Sequence, residues 1–127
     1  MTTTDDEALR LLGDAAEHVR AIVHLRPAWT DPASLYDAAG FLDELTRTLH
    51  AVLGQAARCS DRLASATDLR VDDLGEQVDA ATLAHGASIA LDTAAHALHD
   101  VNGEIGAAHG HLSRLFLDTR GDDGSTA

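Results

Sequence analysis

Apolar residues recur along most of this chain at steps of three and four, the spacing that gathers them on one side of an α-helix. The first run holds Leu9, Leu12, Ala16, Val19 and Val23, and it follows Thr4-Asp-Asp-Glu7, which has the form of a capping box. Pro27 disfavours helical geometry at the residue before it, so this helix is predicted to end at Arg26. Asp31 followed by Pro32 then reads as the N-cap and first position of a second helix. Here the pattern is at its most regular: Leu35, Ala38, Leu42, Leu45, Leu49, Val52, Ala56, Cys59, Leu63 and Ala66 alternate steps of three and four without a fault. Over more than four heptads that is a coiled-coil-like seam.

Thr67 to Asp73 interrupts the pattern, and Asp73-Leu-Gly-Glu76 is predicted to cap a third helix. Its apolar line reads Leu83, Ala87, Ala90, Ala94, Leu98, Val101, Ile105, Ala108, Leu112 and Leu115, with one residue of extra phase between Ala90 and Leu98. Asn102-Gly103 is a stop signal in isolation. The line crosses it in phase, so the helix is expected to continue to about Leu117. The fold class is therefore all-α: three long helices, an antiparallel hairpin plus a shorter N-terminal helix, bundle-like and coiled-coil-like. One domain is predicted over residues 1–118, with a flexible polar tail over 119–127.

Length adds a consequence. At about 1.5 Å per residue, helix one reaches about 33 Å, against about 54 Å and 70 Å for helices two and three. Helix one is then expected to cover only half of the hairpin. The other half is left two helices thick, and a second copy is the simplest cover for it. Cys59, Leu63, Ala66, Val78 and Ile89 are the predicted homodimer interface.

Composition and charge narrow the function. Of the 127 residues 45% are hydrophobic but only 3% aromatic, and 24 are Ala, which favours helices over a β-sandwich or barrel. Asp and Glu number 21 against 9 basic residues, all of them Arg, for a net charge of −12. Such a chain is repelled by phosphate backbones and anionic lipid, so neither direct nucleic-acid nor membrane binding is predicted, and a basic protein is the favoured kind of partner. Asp61, Asp68, Asp72, Asp73, Glu76 and Asp79 crowd the tip of the hairpin as an acidic patch, a solvated loop or a DNA-mimicking surface of an inhibitor. One cysteine excludes an internal disulfide framework. The polar, acidic N-terminus lacks the pattern of a signal peptide, and no charge-free stretch is long enough to span a bilayer, so a cytoplasmic protein is expected.

Candidate chemistry is sparse. Eight histidines are the one excess with chemical potential. Asp92, His96 and His99 share a helical face with His85, and their i,i+4 and i,i+3 spacings make metal chelation geometrically possible. A solvated polar face is the simpler account, because the Glu-x-x-His pairs of di-iron bundles are missing, so no metal or cofactor is predicted. Gly103, Gly106 and Gly110 continue that face and either let another helix approach or are tolerated by a long packed helix. No serine stands in a nucleophile elbow, Cys59 has no histidine fixed beside it by spacing, and no phosphate loop exists in a chain without Lys. Nothing predicts an enzyme.

Helices flanking a Trp-containing turn are similar to the helical-hairpin proteins of type VII secretion, but Trp29 is followed by Thr30-Asp31 where that family has x-Gly, and the C-terminal Tyr-x-x-x-Asp/Glu is missing. Leu35-Tyr-Asp-Ala-Ala-Gly-Phe-Leu42 and Ala94-Ala-His-Ala-Leu98, with Ala107-Ala-His-Gly-His-Leu-Ser-Arg-Leu115, resemble small, acidic, Ala/Leu-rich helical proteins of actinobacteria, often found on mobile elements. That resemblance implies a helical fold over most of the chain. The family has no established activity, so it implies no site residue. The functional expectation is a non-enzymatic, self-associating adaptor or structural protein, with a His-based metal-binding bundle and an acidic inhibitor of a nucleic-acid-binding protein as alternatives.

Overall fold

The computed structural model describes residues 3–72 and 78–118. It is all-α, with three helices, α1 (Thr3–Leu25), α2 (Pro32–Leu63) and α3 (Ala80–Leu112), and no strand among the described residues. The chain divides into two compact units, Met1–Thr30 and Asp31–Ala127.

The first unit is built on α1. Asp5 and Asp6 lie in its first turn and His24 in its last, matching the helix dipole at both ends. Arg10 is held between Glu7 and Asp14, the latter at 3.1 Å, on the helix surface. Thr4 lies inside the helix instead of capping it. None of the residues of α1 is buried, and its apolar line stays open, with Val23 70% exposed. The helix stops one residue before Arg26, which takes a left-handed conformation (φ 48°). Pro27 explains the stop: its ring excludes the right-handed helical region at Arg26. Trp29, further along the connection, is left-handed as well (φ 50°). Such a backbone costs a residue with a Cβ about 1 kcal/mol or more.

The second unit is the hairpin of α2 on α3. Asp31 caps α2 through its carboxylate, which accepts from the Ala33 amide (3.2 Å) and the Ser34 hydroxyl (3.2 Å), with Pro32 at the first helical position. The helix tightens into i→i+3 bonds after Leu63, where Ala66 N–H donates to the Leu63 carbonyl. The first cap of α3 is Asp79, whose carboxylate accepts from the Thr82 amide (3.2 Å) and hydroxyl (3.3 Å). The proposed capping residues Asp73 and Glu76 lie outside the described residues. The α3 helix runs unbroken through Asn102-Gly103, as expected, but ends at Leu112 and not near Leu117. There Ser113 turns its hydroxyl onto the Gly110 carbonyl (2.6 Å), and Arg114 and Leu115 close i→i+3 bonds.

Cross-helix contacts fix the register. Ser60 donates to the Ala84 carbonyl (2.7 Å) and Ser88 to the Ala57 carbonyl (2.8 Å). His50 Nδ1 lies 2.6 Å from the Ala95 carbonyl, and Asn102 bonds to Asp43 and Thr46. Tyr36 stacks on His109 with ring centroids 4.1 Å apart. Numbers rising on α2 meet numbers falling on α3, so the pair is antiparallel. The helix lines that meet are Tyr36, Ala39, Asp43, Thr46, His50, Leu53, Ala57 and Ser60 on α2, and Ala84, Ser88, Leu91, Ala95, Leu98, Asn102, Ile105 and His109 on α3, all half-buried or buried. Each steps by three and four without a fault.

These lines correct the seams expected from sequence. The α2 leucine seam stands one residue before the packing line throughout its length. In α3 the line through Leu83, Ala87, Ala90 and Ala94 is displaced in the same way, and only Leu98, Ile105 and Leu112 of the expected seam lie on the packing line. The extra residue of phase marks the place where the expected seam crosses from one line to the other. The reason is physical: small and polar side chains at several positions of these lines let two backbones approach, and among the described residues only Ala39, Ala57 and Ala95 are buried.

Candidate functional site

A step of one residue turns a helix surface by about 100°. In an antiparallel pair, one residue back from the packing line on both helices leads to the same side of the hairpin. One side therefore carries Leu35, Leu42, Leu45, Leu49, Val52, Cys59 and Leu63 from α2 with Leu83, Ala87, Ala90, Ala94, Ala97, Val101 and, toward the end of α3, Glu104. Contacts at the tip agree, since Leu63 and Leu83 both line one open hollow there, together with Leu69 and Val71. This face is apolar and partly open: Leu42 is 50% exposed, Leu63 51%, Leu83 50% and Val101 46%.

The opposite side carries Asp37, Glu44, Arg47, Arg58 and Asp61 from α2 with His85, Ile89, Asp92, His96, His99 and the three glycines from α3. The 3.1 Å contact of His85 Nδ1 with the Asp61 carboxylate confirms that these positions adjoin. Arg47 pairs with Asp43 at 3.1 Å.

The histidine constellation does not assemble into a metal centre. His96 Nδ1 lies 2.8 Å from the Asp92 main-chain carbonyl and 3.6 Å from its carboxylate. His99 instead adjoins His50, with ring centroids 6.0 Å apart. Among the described residues no three His, Cys, Asp or Glu side chains are grouped to hold a metal ion. A Cβ on Gly103 or Gly110 would meet open space, while one on Gly106 would stand 3.9 Å from the Asp43 carboxylate, an ordinary contact, so the stripe is not needed for a close approach of α2.

The predicted interface residues divide between the two sides. Cys59 and Leu63 are exposed on the apolar face, with Arg62 Nη2 3.1 Å from the Cys59 sulfur. Ala66 and Val78 are half-buried at the tip, and Ile89, 55% exposed, follows Ser88 onto the histidine side. Of the acidic patch, Asp61 is engaged by His85 and Asp79 caps α3. Asp68 and Asp72 are exposed in the connection, while Asp73 and Glu76 lie outside the described residues.

Sequence reasoning missed the polar centre of the hairpin. Asn102 Nδ2 lies 2.8 Å from Asp43 Oδ1, 2.8 Å from Thr46 Oγ1 and 2.9 Å from the Asp43 carbonyl. Near the far end, His109 fits against α2 at Gly40, where an added Cβ would stand 3.3 Å from its Nε2. A signal did exist: Asn102 and His109 lie seven residues apart in α3, one heptad on the same line as Ala95 and Ser88.

Among the described residues no helix is long and apolar enough to cross a membrane. No protein-family model, curated protein or solved structure matches this chain.

Proposed function

We propose that this protein is a non-enzymatic, self-associating helical interaction protein that acts as an adaptor or structural component. One observation carries the reading: the regular leucine line of α2 lies beside the contact with α3 and not within it. The hairpin thus keeps its bulkiest apolar residues half open while burying three alanines. Contiguous apolar surface rimmed by polar residues is the mark of a protein interface. A second copy is the proposed occupant, and homodimers of two-fold symmetry are the commonest assemblies.

A basic protein drawn to the acidic tip is supported less well. Two of the carboxylates there, Asp61 and Asp79, already serve the fold. Sedimentation equilibrium of the untagged chain at micromolar concentration tests self-association, with a dimer expected and a stable monomer ruling it out.

A further inference from the structure

We propose that the second copy covers the leucine face of the hairpin along its whole length, with each α2 leucine line seated on the alanine line of the partner's α3. This deepens the self-association reading and rests on it. The face is self-complementary in a particular way. Its α2 half is large, with Leu35, Leu42, Leu45, Leu49, Val52 and Leu63, and holds no charged residue. Its α3 half is small, with Ala87, Ala90, Ala94 and Ala97 in succession. Large side chains pack best opposite small ones. A two-fold axis running along the helices brings this about, because it lays α2 over the partner's α3 and α3 over the partner's α2. Every neighbouring pair in the resulting four-helix bundle is antiparallel.

Size agrees. The 32 residues of α2 span about 48 Å, and two helices packed 8–10 Å apart present a face about 18 Å wide. That gives about 900 Å² per copy, against about 800 Å² per partner in an interface of standard size. Charge agrees over most of the face, since the carboxylates Asp37, Glu44, Asp61 and Asp92 lie on the opposite side and Glu104, the one acidic residue of this α3 line, stands toward its C-terminal end.

The same axis preserves height along the bundle. His50 meets the Ala95 carbonyl and Asn102 meets Asp43, so in this antiparallel pair Leu49 stands closest in level to Ala97 on the alanine line. Leu49 of one copy is then placed over Ala97 of the other.

Two measurements test the arrangement beside sedimentation. Cys59, the single thiol, is exposed on this face and becomes covered in the dimer. Its rate of alkylation in the wild-type chain should fall as protein concentration rises, by about fivefold at about ten times Kd, the monomer fraction that mass action leaves. Second, Leu49→Ala and Ala97→Leu chains are mixed and read by native mass spectrometry. Each homodimer has two mismatched sites, whereas the mixed dimer has one swapped and one native site, so it should exceed the statistical half. A dimer whose Cys59 reacts at one rate at every concentration would overturn the leucine face and leave self-association standing. A monomer would overturn both. Statistical mixing of two chains of native helicity would overturn the seating of α2 on the partner's α3. The thiol measurement needs no variant, so it decides the face even if either substituted chain unfolds.

Discussion

At the residue scale, the polar groups between α2 and α3 differ in what their loss leaves behind. The carbonyls of Ala57 and Ala84 lie within helices and have a second lone pair, which the serine hydroxyls occupy. Replacing Ser88 with Ala removes a hydroxyl and strands nothing, so Ser88→Ala should change the unfolding free energy by less than about 1 kcal/mol. Asn102 is different. Its amide serves Asp43, whose side chain is only 21% exposed, together with Thr46. Asn102→Ala leaves a covered carboxylate with Arg47 as its remaining charged partner, and urea denaturation should show a loss of about 1–3 kcal/mol. Asn102→Asp should cost more at neutral pH, because it sets two carboxylates face to face in place of a donor and an acceptor. Protonating one of them restores a donor and removes the repulsion. The deficit relative to wild type should therefore shrink as pH falls through the carboxylate range, and a deficit that grows on acidification would contradict the contact.

At the element scale, the closeness of α2 and α3 depends on alanine. Ala95 is 3% exposed and Ala57 5%, and the hydroxyl-to-carbonyl bonds of Ser60 and Ser88, toward the tip, hold the backbones near. Ala95→Leu must push the helices apart or force poor rotamers, at a cost of about 1–3 kcal/mol. Ala51→Leu, on an exposed position of the same hairpin, should leave the melting temperature near that of wild type. Equal effects of the two substitutions, followed by circular dichroism, would argue against the tight seam. This same feature explains what could be read from the sequence. Helix type and order follow from spacing, the end of α1 and the start of α2 from Pro27 and Asp31-Pro32, and the continuity of α3 through Asn102-Gly103 from phase. The ends of α3 did not follow: it begins behind Asp79 and not Asp73 and ends at Leu112 and not near Leu117. Nor did the rotation of each helix. Leucines mark the line that most needs burial, which suggested that α3 buries it. The packing line instead mixes Tyr36, Leu53, Leu91, Leu98 and Ile105 with Ala, Ser, Asn, His, Thr and Asp, and the fitness of the polar ones for their positions depends on partners in the opposing helix. Those partners are invisible until the pair is assembled. The histidine face was legible as a face, but the metal constellation on it was not realised, because the Asp92 carbonyl takes up His96 and His99 turns toward His50.

At the scale of the whole molecule, apolar attraction and charge repulsion oppose each other. A net charge of −12 per chain becomes twice that in a dimer, while the leucine line of α2 offers no ion pair to offset it. Repulsion between charges on the outward sides acts through water over distances comparable to the Debye length, about 10 Å at 0.1 M salt. The apolar contact is not weakened by moderate salt, and excluded salts such as sulfate strengthen it. Both terms have one sign. Dimerisation should tighten as sodium chloride rises from about 0.03 M to about 0.3 M, where the Debye length contracts severalfold. An acidic surface recognising a basic partner would do the reverse, because screening removes its attraction. Sedimentation equilibrium across that series separates them. A dimer that loosens as salt is added would place ion pairs at the contact and exclude the leucine face as its main component. A dimer that tightens would agree with an apolar face formed on one side of the hairpin and most carboxylates kept to the other.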